Sequence, residues 1–121
     1  MTVKNLDTIK KVKVTAGKDA YMQVLISAEE GPNFAMRRFV IEPGGRMPEH
    51  TNLVEHEQFV LNGHAKVGIG ANIFEVKQND VVFIPAGVPH WYEPLGTESF
   101  EFLCMVPNTE DKVEIIGEDQ K

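Results

Sequence analysis

The chain is predicted to be all-β. Short runs rich in Val, Ile, Phe and Tyr recur along it. Clusters of Gly, Pro, Asn and Asp interrupt those runs every ~8–12 residues, the rhythm of a sandwich or barrel. No stretch repeats apolar residues at the i, i+3, i+4 spacing of an amphipathic helix.

Residues 3–15 mix Val, Ile and Lys, and Val12 to Val14 alternates like an edge strand. Tyr21 to Ile26 is a stronger strand, bounded by Lys18-Asp19 and by Glu29-Glu30-Gly31-Pro32. The next runs from Asn33 to Glu42 and is expected to stop at Pro43-Gly44-Gly45. Within it Arg37, Phe39 and Ile41 share one face, and Met36, Arg38, Val40 and Glu42 the other. One arginine must lean toward the apolar side, and alternation leaves both open. An inward Arg37 would meet a bound anion; the plainer role is a surface ion pair.

An apolar strand opens at His56 and closes at Gly63. In His64 to Gly70, the apolar set Ala65, Val67 and Ile69 should face inward, which turns His64 and Lys66 outward. Gly70-Ala71-Asn72 is a tight turn, and Ile73 to Lys77 pairs back as a hairpin. Val81 to Ile84 reads as a buried strand, ended by Pro85-Ala86-Gly87-Val88-Pro89, whose prolines set the chain direction before His90. In the last long strand, Ser99 to Val106, one face holds Phe100, Phe102, Cys104 and Val106. Residues 108–121 are charged and expected to be loosely held, with a short edge strand at Lys112 to Ile116.

A chain of 121 residues is one domain, spanning 1–121. No apolar run reaches the ~18 residues of a membrane helix, and residues 1–5 lack an apolar signal region. The lone Cys104 cannot form an internal disulfide. A cytoplasmic location is expected. Twelve basic against eighteen acidic residues give a net charge of −6, which argues against nucleic acid and anionic membrane as partners.

Three of the four histidines sit where strands meet turns. His50 and Asn52, two apart in an extended piece, look the same way; His56 opens the next strand and would meet them if the two strands pair antiparallel. His90 follows the second Pro/Gly turn.

These two stretches resemble the two motifs of the cupins. The first reads Gly45, His50, Asn52, His56, Gly63, and the second Asn79, Pro85, Gly87, His90, Pro94. Motif 1 thus covers 45–63, motif 2 covers 79–94, and the resemblance spans roughly 34 to 107. Asn52 stands where the family has a second His, and His56 where it has Glu. Asn79 and Pro94 replace a turn Gly and Asn.

The resemblance implies a cupin double-stranded β-helix, that is, a jelly-roll barrel. It implies that His50, His56 and His90 bind a divalent transition metal (Fe, Mn, Ni or Zn). Asn52 either completes the shell or hydrogen-bonds a metal-bound water. Glu57 replaces His56 if the loop register shifts by one. With no carboxylate matched, such a site keeps the metal's full charge and favours small anionic ligands. Arg37, Phe39, Gln58, Tyr92, Phe102 and Cys104 are the candidate substrate pocket; Cys104 is otherwise a small core hydrophobe. Trp91 points away from His90 and Tyr92, toward the core or a partner.

An oxygenase-like or lyase-like enzyme acting on a small anionic or enolisable metabolite is the leading expectation. A non-catalytic binding or sensing module, with or without metal, is the alternative, since the second His is missing. A metal-free sugar isomerase would need His90 and Tyr92 as its acid–base pair. Several strands are apolar on both faces, and small cupins commonly dimerise, so a homodimer is expected.

Overall fold

The computed structural model describes residues 1–116. A short 3-10 turn, Leu6–Thr8, precedes ten strands. They are β1 (Val12–Lys13), β2 (Lys18–Ile26), β3 (Phe34–Thr51), β4 (His56–Asn62), β5 (His64–Ile69), β6 (Asn72–Lys77), β7 (Val81–Ile84), β8 (His90–Leu95), β9 (Phe100–Pro107) and β10 (Glu114–Ile115). One sheet runs β1-β2-β3-β9-β4-β7 and the other β6-β5-β8-β3-β10. The strand pairings among the described residues are antiparallel, and β3 belongs to both sheets. This is the jelly-roll barrel that the motifs imply.

β3 corrects one expectation. The chain does not stop at Pro43-Gly44-Gly45 but turns a corner there and continues to Thr51. Gly44 makes the turn at φ +83°, a region L side chains rarely adopt. The register against β2 breaks at this point, as at a bulge. Residues before the corner pair with β2 and β9; beyond it Arg46 still pairs with Lys18 of β2, and Met47 to Thr51 run along β8 and β10.

The inner faces meet in one core. Ala20, Ile41, Val60, Ala65, Val67, Ile84, Phe100, Phe102 and Cys104 are essentially inaccessible. Each large side chain there contributes about 1.5–3 kcal/mol through burial. His64 is exposed and Ala65 and Val67 are buried, as the alternation of β5 predicts. Trp91 lies over the backbone of Gly68, where an added Cβ would sit 2.0 Å from its indole nitrogen.

β7 differs from the reading of a buried strand. Val82 and Ile84 face in, but Val81 is 77% and Phe83 54% exposed. β7 is the last strand of its sheet, and none of the described residues covers its outer face.

The end of the described chain is better anchored than its charge suggests. β10 pairs with Thr51 and His50 of β3, and the Ile116 N–H donates to Glu49 O at 2.8 Å. Residues 117–121 of the expected loose tail lie outside the described residues.

Candidate metal centre

β3 and β8 bring the first two histidines together. His50 is the register partner of His90, and their ring centroids are 4.2 Å apart. His56 arrives from the opposite sheet. β4 pairs with β7 and β9, not with β3, so His56 meets the others across the barrel rather than beside them. Its ring lies 5.4 Å from that of His90. Asn52 is buried to the same degree as His50 and His56.

Hydrogen bonds fix the orientation of two rings. His50 Nδ1 lies 2.8 Å from Pro48 O, and His90 Nδ1 lies 2.9 Å from Val88 O. A carbonyl only accepts, so each Nδ1 carries the proton and each Nε2 keeps a lone pair. The third ring places Nδ1 3.2 Å from the sulfur of Cys104.

The buried atoms without a hydrogen-bond partner among the described residues are Arg37 Nε, Asn52 Oδ1, His56 Nε2 and His90 Nε2. A buried polar atom left unpaired costs about 1–3 kcal/mol. Three of the four are donors of the type a transition metal takes: two imidazole nitrogens and an amide oxygen. The three rings do not by themselves close into a cage. Among the described residues no three His, Cys, Asp or Glu are set to hold an ion. The chemistry of the unpaired atoms fits a divalent metal, with the Asn52 oxygen beside the imidazoles.

Burial keeps the imidazoles neutral, as a ligand must be. His56 is pushed down to about 3, first by burial, then by the charges of His90 and Arg37. His90 is pushed down to about 4 by burial and by His50. His50 is lowered by burial, against the raising effects of Pro48 O and Asp111.

A cavity of about 410 Å³ opens beside this cluster. His50, Asn52 and His56 line it together with Arg37 and Phe39, and Val14, Met22, Met47, Val113 and Ile115 make its wall mostly apolar. The Arg37 guanidinium sits 5.1 Å over the ring of Phe39, and its Nη2 lies 3.6 Å from Cys104 Sγ. Arg38 faces out and binds Glu101 and, at 2.5 Å, Gln23 Oε1. The inward arginine is therefore Arg37.

The rest of the predicted pocket, Gln58, Tyr92, Phe102 and Cys104, is packed beneath the cavity rather than lining it. Gln58 donates to the Tyr92 hydroxyl at 2.7 Å, and Tyr92 stacks on Phe102 at 5.0 Å. Phe39 stacks on Phe102 at 5.2 Å. Burial raises the Tyr92 hydroxyl well above its ordinary value and raises the Cys104 thiol. Neither these residues nor His90 reach the cavity wall. Glu57 lies on the outer face beside Met105, and Glu55 raises its carboxyl to about 7. It does not take the place of His56.

Sequence reasoning missed Asp111. Its carboxylate accepts from Asn52 Nδ2 at 3.0 Å and from the backbone N–H groups of Leu53 and Lys112 at 2.7 and 2.8 Å. Burial raises its pKa, but those three donors outweigh burial and leave it below the ordinary carboxylate range. Another hollow, about 490 Å³, lies among Asn62, His64, Glu75 and Lys77 and contains none of the candidate ligands.

A sequence model described as a cupin domain matches residues 37–106. The chain belongs to the cupin family. This cupin is 30% identical over 93 residues to the 1-methylthio-D-xylulose 5-phosphate methylsulfurylase of Rhodospirillum rubrum, a match covering 77% of this chain and 59% of that protein. It thus spans less than two thirds of that relative's length. The polyketide cyclase RemF from Streptomyces resistomycificus superposes with a TM-score of 0.85 at 25% identity, covering 98% of this chain and 89% of that one. A cupin 2 conserved barrel domain protein from Rhodopseudomonas palustris gives 0.79 at 26% identity, covering 93% and 79%.

Proposed function

We propose that this cupin binds a divalent transition metal through His50, His56, His90 and the amide oxygen of Asn52, and acts on a small anionic, enolisable metabolite in the adjoining cavity. The observation that carries this reading is the set of unpaired atoms, His56 Nε2, His90 Nε2 and Asn52 Oδ1, buried where three imidazoles gather. Two relatives support the substrate class. One is named for a ketose phosphate, which is anionic and enolisable, and the other for polyketides, whose alternating carbonyls enolise readily.

When bound, the metal would supply Lewis-acid polarisation and, for iron or manganese, a site for O₂. The chain's own residues do the rest. Arg37, which lines the cavity, would turn its guanidinium toward the anionic group of the substrate. Phe39, Met22 and Met47 exclude water beside it. Pro48 O and Val88 O hold the Nδ1 protons of His50 and His90, which keeps the opposite nitrogens free to ligate.

A binding or sensing module remains the second reading. It is favoured by the cavity lining, which among the described residues holds no Asp, Glu or Tyr to act as acid or base.

Elemental analysis of protein purified without an affinity tag or chelator tests the first step. About one metal ion per chain, lost in His50→Ala, is expected. Metal-dependent O₂ uptake or consumption of enolisable carboxylates would then separate enzyme from sensor. No metal after reconstitution would refute the metal centre.

A further inference from the structure

Asn52 departs from the family's histidine, and an amide can turn either end inward. Its oxygen would ligate a metal; its NH₂ would repel one. What decides is Asp111, 59 residues away on the strap that leads into β10. A carboxylate accepts hydrogen bonds and donates none, so only the NH₂ end of Asn52 can face it. Asp111 Oδ2 takes that NH₂ at 3.0 Å. The amide oxygen is thereby turned the other way, where it lies buried with no partner among the described residues.

Asp111 is itself pinned. Its other oxygen accepts from the N–H of Leu53 at 2.7 Å, the residue just after Asn52. Downstream, β10 pairs with Thr51 and His50. The strap is thus stitched to β3 on both sides of the amide.

We propose that Asp111 is a positioning residue, which holds Asn52 with its oxygen turned into the site so that Asn52 serves as an oxygen donor to the metal. The inference rests on the metal reading above and names what makes residue 52 a competent ligand without an imidazole. A merely anchoring Asp111 would stabilise the strap and leave metal affinity alone.

The test is a double-mutant cycle on the full chain, with Zn²⁺ affinity measured by calorimetry. Asn52→Ala and Asp111→Ala are each expected to weaken binding by roughly 10–100-fold, the usual effect of losing a ligand's support. Asn52→Ala/Asp111→Ala should bind no more weakly than Asn52→Ala alone. Full affinity in Asp111→Ala overturns the proposal, as does a loss that persists undiminished in the Asn52→Ala background. The second outcome would make Asp111 a remote charge.

The metal-free protein gives an independent readout. The ¹⁵N side-chain amide signals of Asn52 should exchange slowly and shift toward free-amide positions in Asp111→Ala. Unmoved signals overturn the proposal. If the wild-type chain takes no Zn²⁺ the metal reading fails and the ligand role with it, while moved signals would still support the orienting contact.

Discussion

Arg37→Met should make the protein more stable and its ligand binding weaker. The guanidinium is partly buried, and its Nε–H is out of reach of both water and any partner among the described residues. The guanidinium meets the Phe39 ring at 5.1 Å and the Cys104 sulfur at 3.6 Å. An unpaired buried donor costs about 1–3 kcal/mol. The ring contact returns about 0.5–2 kcal/mol. Methionine keeps most of the stem's volume and polarizable contact with the ring but carries no donor. The net expectation is a gain of about 1 kcal/mol, or about 4 °C in Tm for a chain of this size. A small β-keto carboxylate such as acetoacetate should bind differently. Losing a charge-assisted hydrogen bond costs about 1.5–3 kcal/mol, so its Kd should rise by roughly 10–150-fold. Thermal unfolding and calorimetric titration of the same two proteins read both effects. A destabilised Arg37→Met would mean that the arginine is a structural element, and unchanged affinity would mean that it does not face the anion.

Other predictions are briefer. Asn52→His should tighten metal binding by roughly tenfold or more, because an imidazole there can donate to Asp111 and still present its second nitrogen; unchanged affinity would remove residue 52 from the site. In chelator, acid should destabilise the protein. His56 and His90 have folded values of about 3 and about 4, below the unfolded value of about 6.5, so their contribution is complete above pH 6.5 and is lost as pH falls toward 4. At pH 5.5 that is about 1.4 kcal/mol for each. Glu57, raised to about 7, acts in the opposite sense, but it is largely exposed and counts for less. Denaturant titrations at pH 7 and 5.5 should show a slope that His56→Gln/His90→Gln flattens. An equal slope in both proteins would contradict neutral burial. Finally, Phe59, Leu103, Met105 and the exposed Val81 and Phe83 share the outer face of one sheet, with Phe59 opposite both Leu103 and Val81. Light scattering should report a dimer that Phe83→Lys converts to monomer; a monomeric wild type would refute the expected pairing.

What the sequence showed depended on how local the signal was. Gly70, Gly87 and the prolines around Gly87 mark turns because their backbone preferences act within a few residues. Parity placed Ala65 and Val67 inside and His64 outside for the same reason. Parity failed at β7, where all four residues are apolar and only the sheet's edge tells Val81 from Val82. It also failed to choose between Arg37 and Arg38. Both lie on half-apolar faces, and the deciding partners, Glu101 and Cys104, are more than sixty residues away. Asp111 was invisible because a single acid in a charged tail carries no local pattern. The motif spacing named the histidines but left His56 beside His50, where the sheet order instead sets it across the barrel.

The corner in β3 couples two halves of the site through simple counting. Arg37 and Phe39 precede Gly44 and His50 follows it on the same strand, with Asn52 just past its end. Side chains on a strand alternate sides, so one residue added or removed at the corner would reverse every side chain beyond it. His50 and Asn52 would swing to solvent, while Arg37 and Phe39 would stay where they are. If the proposed metal centre and anion site are real, a lineage could lose the first and keep the second through a single-codon indel, without altering any of the residues that would ligate.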